Sequence, residues 1–150
     1  MTYKRILVPV DGSATSKAGL REAIALAKGQ GASLQLVHVV DQHYIALMGI
    51  ESSAAGMSRM MEDVKRAGRA ILKSAQAAAD KAGVKATSVL LETLTGPAAD
   101  LIVKQAKKSG ADLIVLGTHG RRGVRRLLMG SDAEQVVRNA PVPVMLVRAA

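Results

Sequence analysis

The chain has 150 residues, of which 21 are basic and 12 acidic, giving a formal charge of +9. It has no cysteine, tryptophan or phenylalanine and 2 tyrosines, which excludes thiol catalysis, disulfides and thiolate metal sites and leaves almost no aromatic platform for stacking single-stranded bases. No apolar stretch reaches the roughly 18 residues of a membrane span, and residues 1–5 lead straight into a strand rather than a signal peptide. One soluble, cytoplasmic domain over residues 1–150 is expected, with a core of Val, Leu, Ile, Ala and Met.

In chain order, residues 6–10 form a continuous apolar strand, and Leu20, Ala23, Ile24 and Ala27 then share one helical face. That helix ends at Lys28 and Gly31, and a second strand covers residues 34–40. Residues 41–58 are too long for an ordinary strand-to-helix connection and are expected to be an irregular flap. A second helix places Val64, Ala67, Ile71, Ala75 and Ala78 on one face, ends at Lys81 and Gly83, and precedes a strand at residues 89–91. A third opens at Gly96 and Pro97, with proline at the first helical position, carries Ala98, Leu101 and Ile102, and ends at Lys108 and Gly110. A lysine followed by a glycine cap thus closes a helix before a strand 3 times. Residues 112–116 form the fourth strand. Ala133, Val136, Val137 and Ala140 mark the last helix, and residues 142–147 the fifth strand. Pro141 and Pro143 put this strand at a sheet edge, because proline cannot donate to a ladder. An edge this apolar invites pairing with a second copy of the chain.

Apolar strands alternating with amphipathic helices predict a parallel sheet covered on both faces. Between the fourth strand and the last helix lie Gly117, Thr118, His119 and Gly120, then Gly130 and Ser131. A strand, a glycine-rich loop and a helix start together make a phosphate cradle. Glycine lets backbone N–H groups approach an anion, and the helix N-terminus adds unpaired donors and partial positive charge.

These residues match G-x2-G-x9-G-[ST] at Gly117, Gly120, Gly130 and Ser131, and the chain resembles the nucleotide-binding branch of the universal stress protein family. Residues 4–13 resemble the family opening, residues 38–41 the end of its second strand, and residues 141–144 its closing segment. The resemblance implies an open five-stranded α/β sheet ordered 3-2-1-4-5, an adenine nucleotide such as ATP as ligand, and a homodimer formed through the fifth strand. It agrees with a rule of open parallel sheets, that ligands bind where the strand order reverses, here between the first and fourth strands.

Carried over from the family, Pro9, Val10, Asp11 and Val39 line the adenosine end. Asp11 either accepts a hydrogen bond from ribose or base or caps the following helix. Gly117, Thr118, His119 and Gly120 present backbone donors to phosphate, and His119 either touches a phosphate or ribose or stands in solvent. Gly120 and Gly130 bring backbone close to phosphate, with positive φ as one route. Of Arg121, Arg122, Arg125 and Arg126, one or two clamp the outer phosphates, with charge-assisted bonds worth roughly 1.5–3 kcal/mol each. Ser131 and Glu134 read as a capping box, which still leaves other N–H groups for a ligand.

Asp132 and Ala133 depart from the family pattern, which has small uncharged residues or threonine there. A carboxylate suits the helix dipole but repels a triphosphate unless Mg2+ or Mn2+ bridges the two. No Walker motif is present, no serine has a partner base, and His38, His43 and His119 lack metal-ligand spacing, so no catalytic residue and no protein-held metal site is assigned. The leading reading is a nucleotide-responsive signalling or sensor module of the stress response. A slow ATPase or phosphotransferase and a nucleic-acid binder using the basic surface are the alternatives.

Overall fold

A computed structural model describes residues 1–48, 53–118 and 129–149. The elements are β1 (Arg5–Pro9), α1 (Ala14–Gln30), β2 (Ser33–Asp41), α2 (Gln42–Met48), α3 (Ala54–Lys81), β3 (Ala86–Thr93), α4 (Ala98–Ser109), β4 (Leu113–Gly117), α5 (Ser131–Asn139) and β5 (Val144–Val147). The five strands form one sheet in the order β3-β2-β1-β4-β5, and every pairing is parallel. β1 is central, in register with β2 through Val8 and Leu36 and with β4 through Leu7 and Ile114. The expected topology is therefore the observed one, and β5 lies at an edge.

The strands are apolar on both faces because both are covered. Ile6, Val8, Leu34, Leu36 and Val115 pack with Leu20, Ala23 and Ala27 of α1 and Leu72, Ala75 and Ala79 of α3. Leu7, Val37, Ile114 and Leu116 pack on the other side with α4 and α5. α1 and α4 end at Gly31 and Gly110, at φ 68° and 66°, the left-handed geometry that lets glycine close a helix. Among the described residues no helix is long and apolar enough to cross a membrane.

Several local expectations change. α3 buries Gly68, Leu72, Ala75 and Ala79, while Ala67 and Ala78 are exposed. The helix is alanine-rich, and alanine adds so little apolar area that neighbouring stripes look alike in sequence. α4 likewise buries Ala99, Ile102, Val103 and Ala106, and Pro97 is its N-cap rather than its first helical residue. The stretch expected as an irregular flap begins with α2, immediately after β2, and Ile45 of α2 is buried. A helix of 7 residues is too short for apolar periodicity to register.

Candidate functional site

The carboxyl ends of β1 and β4 lie side by side at the middle of the sheet, where the connections leave in opposite directions. Beyond Pro9, the Val10 N–H donates to the Val37 carbonyl at 2.8 Å. The Asp11 N–H donates to Ser16 Oγ at 3.0 Å, and Asp11 Oδ1 accepts from the Ser13 N–H at 2.9 Å. Ser13, not Asp11, is the N-cap of α1: its Oγ accepts from the Ser16 N–H at 3.2 Å. Asp11 instead closes an Asx turn one step earlier, which holds its carboxylate at the strand end.

At the end of β4, Gly117 pairs with Val147, and the Thr118 N–H donates to the Val147 carbonyl at 3.0 Å. The Thr118 carbonyl accepts from the Gly130 N–H at 2.7 Å, so the two ends of the glycine-rich segment are joined directly. Both of these amides are thus engaged by backbone carbonyls. Gly117 has a packing reason to be glycine: a Cβ there would lie 2.6 Å from the Thr15 carbonyl carbon and 2.7 Å from its Oγ1. The first turn of α1 thus rests on the end of β4 and bridges the two strand ends.

α5 starts on the other side of this junction. Its N-cap is Gly130, at φ −60° and ψ 152°, with no side-chain capping bond. Positive φ, one of the routes open to Gly130, is not the one it takes, and the capping box is not formed. Ser131 is already helical, one residue too late to be the cap, and the Glu134 carboxylate turns to Arg138 at 2.9 Å. Ser131 and Asp132 are exposed, and Ala133 is buried against β4 and α4.

The structure therefore brings together Pro9, Asp11, Gly117, Thr118 and the start of α5 at Gly130, Ser131, Asp132 and Ala133. Val39 is half-buried on the α4 and α5 side. Val10 is separated from it: strand alternation turns its side chain into the α1 and α3 core, where it is 5% exposed. His119, Gly120, Arg121 and Arg122, with Arg125 and Arg126, lie outside the described residues. Among the described residues no group of three or more His, Cys, Asp or Glu side chains could hold a metal ion. A cavity of about 340 Å³ opens between Gly12, Lys17 and Leu20 on one side and Ala70, Ile71 and Ser74 on the other. It lies on the α1 and α3 face, opposite Val39 and Ala133, and so is not the crevice.

Sequence reasoning missed Ser13, Thr15, Ser16 and His38 as supports of this end of the sheet. The Asp11-Gly12-Ser13 turn followed by Ser16 was a readable signal for the first three. A histidine inside an apolar strand was the only signal for the fourth.

A model of the universal stress protein family matches residues 2–148. This chain belongs to the universal stress protein family. A universal stress protein of Methanocaldococcus jannaschii is 38% identical over 146 residues, covering 97% of this chain and 82% of that one. Among solved structures, the universal stress protein UspA from Lactobacillus plantarum has a TM-score of 0.82 at 27% identity, over 99% of each chain. The universal stress protein from Archaeoglobus fulgidus in complex with dAMP has a TM-score of 0.70 at 26% identity, covering 98% of this chain and 99% of that one. The strand-end crevice of this universal stress protein is thus built on a sheet shared with a relative that binds an adenine nucleotide.

Proposed function

We propose that this universal stress protein binds an adenine nucleotide, ATP in particular, at the carboxyl ends of β1 and β4 and acts as a sensor module rather than an enzyme. The observation that carries the reading is the hydrogen-bonded junction of Thr118 and Gly130 at the point where the strand order reverses. It delivers both ends of the glycine-rich segment and the start of α5 to the place where open α/β sheets hold ligands. The N-cap of α5 is a glycine, which offers no side-chain acceptor to the first-turn amides, and such a helix start suits phosphate. The nucleotide-binding motif at Gly117, Gly120, Gly130 and Ser131 and the dAMP held by the Archaeoglobus fulgidus relative support the same ligand class.

In this reading Pro9, Asp11 and Val39 face the adenosine. Gly120, His119, Arg121, Arg122 and the amides of residues 131–133 face the phosphates. Asp132 opposes a triphosphate unless Mg2+ or Mn2+ lies between them, so nucleotide affinity should rise with the metal. Val10 supports the site from behind. The outer edge of β5 pairs with a second copy, and the working molecule is a cytoplasmic homodimer.

The test is to denature freshly purified protein and identify the small molecules released, then titrate the emptied protein with ATP, ADP, AMP and cyclic AMP, with and without Mg2+. Co-purified or tightly binding adenine nucleotide is the expected result. No binding in any of these titrations overturns the proposal.

A further inference from the structure

His38 is 7% exposed in the middle of β2, and its Nδ1 lies 2.7 Å from the carbonyl oxygen of Val10. A carbonyl only accepts, so Nδ1 carries the proton and donates. The Val10 N–H is held by the carbonyl of Val37, the residue before His38. β2 therefore grips Val10 twice, once through its backbone and once through this imidazole. The next residue is Asp11, whose own N–H is held by Ser16. On the other side of the ring, α3 passes with a glycine. A Cβ on Gly68 would stand 2.6 Å from His38 Cδ2 and 3.1 Å from Nε2, so the ring occupies space that any other residue at 68 would take.

We propose that His38, seated against Gly68, is the positioning residue of the nucleotide site: it fixes the Val10 carbonyl and thereby sets the direction in which Asp11 leaves β1. The proposal rests on the nucleotide reading above for its functional consequence, but not for its geometry. Leucine at 38 fills the space of the ring and leaves a buried carbonyl without its donor, an arrangement that buried acceptors do not tolerate well. Asparagine offers an Nδ2 donor near the place of Nδ1. Gly68→Ala keeps the imidazole and pushes it from its seat, although alanine ordinarily favours a helix interior over glycine.

Each full-length variant is titrated with ATP and Mg2+ by calorimetry, and amide hydrogen exchange at Val10 and Asp11 is followed by NMR. His38→Leu and Gly68→Ala should weaken ATP binding by about tenfold or more and speed exchange at both amides. His38→Asn should remain within about threefold of the parent. Val84→Ala, in the same core at the opposite end of the sheet, should lower stability and leave affinity unchanged. Parental ATP affinity in both His38→Leu and Gly68→Ala overturns the proposal, as does equal weakening in Val84→Ala. If His38→Leu does not fold, Gly68→Ala alone decides. If the parent binds no adenine nucleotide, the proposed function fails, and parental exchange rates at Val10 and Asp11 in the variants then overturn the positioning role by themselves.

Discussion

At the scale of single residues, the glycines of the loop motif divide by physical role. Gly117 has no room for a Cβ against the backbone of Thr15, whereas Gly130 sits at an ordinary φ of −60° that any residue adopts. Gly117→Ala should therefore destabilise the protein by about 1–3 kcal/mol through overpacking, while Gly130→Ala should lower stability, read from the urea midpoint, only by the smaller cost of alanine at an N-cap, about 0.5–1 kcal/mol. Equal midpoints for the parent and Gly117→Ala would mean that α1 can retreat from β4 without penalty. The two serines at helix starts differ in the same way. Ser13 caps α1 through its hydroxyl, and its replacement by alanine should lower stability by about 1 kcal/mol in the same urea titration. Ser131 is already inside α5, so Ser131→Ala should leave stability almost unchanged while weakening nucleotide binding. A large stability loss at Ser131 would restore the capping box.

Among the elements, β5 is an edge strand whose outer hydrogen-bonding groups have no strand partner among the described residues. It pairs with β4 on one side only, and Leu146 is 37% exposed beside half-buried Val144 and Met145. A two-fold partner would use the same strand on both copies. Sedimentation at micromolar concentration should find a dimer, and lysines at Val144 and Leu146 should turn it into a monomer. A monomeric parent, or a double variant that still dimerises, would remove β5 from the proposed interface. On the opposite edge, Glu92 of β3 accepts from Gln42 of α2 at 2.6 Å and pairs with Lys65 of α3 at 3.3 Å. This exposed clamp ties two helices to the edge strand, and pairs of this kind contribute only about 0–1 kcal/mol.

For the whole molecule, the charge of +9 and the proposed ligand lead to separate expectations. Binding of a nucleotide to the folded state alone raises stability by RT ln(1 + [L]/Kd), about 2.7 kcal/mol at a hundredfold excess over Kd. For a chain of this size the melting temperature should rise by roughly 5–10 °C with ATP and Mg2+. Gly120→Val should keep the parental melting temperature without ligand and lose that rise, which separates a binding defect from a folding defect. Affinity for random duplex DNA should be weak at physiological salt and fall steeply as salt increases, because only phosphate contacts would hold it. Tight, sequence-dependent binding that survives added salt would favour the nucleic-acid reading instead.

The architecture was legible in the sequence because it depends on local regularities. Apolar strands, lysine-then-glycine helix ends and prolines at residues 141 and 143 each act within a few positions, and together they dictate the alternation of elements and the place of β5. The glycine spacing at Gly117, Gly120 and Gly130 likewise marked the loop between β4 and α5 as the candidate site. What stands across from a residue is not local, and there the tertiary structure decided. An alanine-rich helix offers several equivalent stripes, and α3 buries the one that carries Leu72 and places Gly68 against His38. The amides of Thr118 and Gly130 became ties at the loop ends once β5 and β4 lay beside them. By sequence alone His38 was part of the second strand and a histidine without metal-ligand spacing; the fold set the Val10 carbonyl within hydrogen-bonding distance of its ring, because only packing brings residues 28 positions apart into contact.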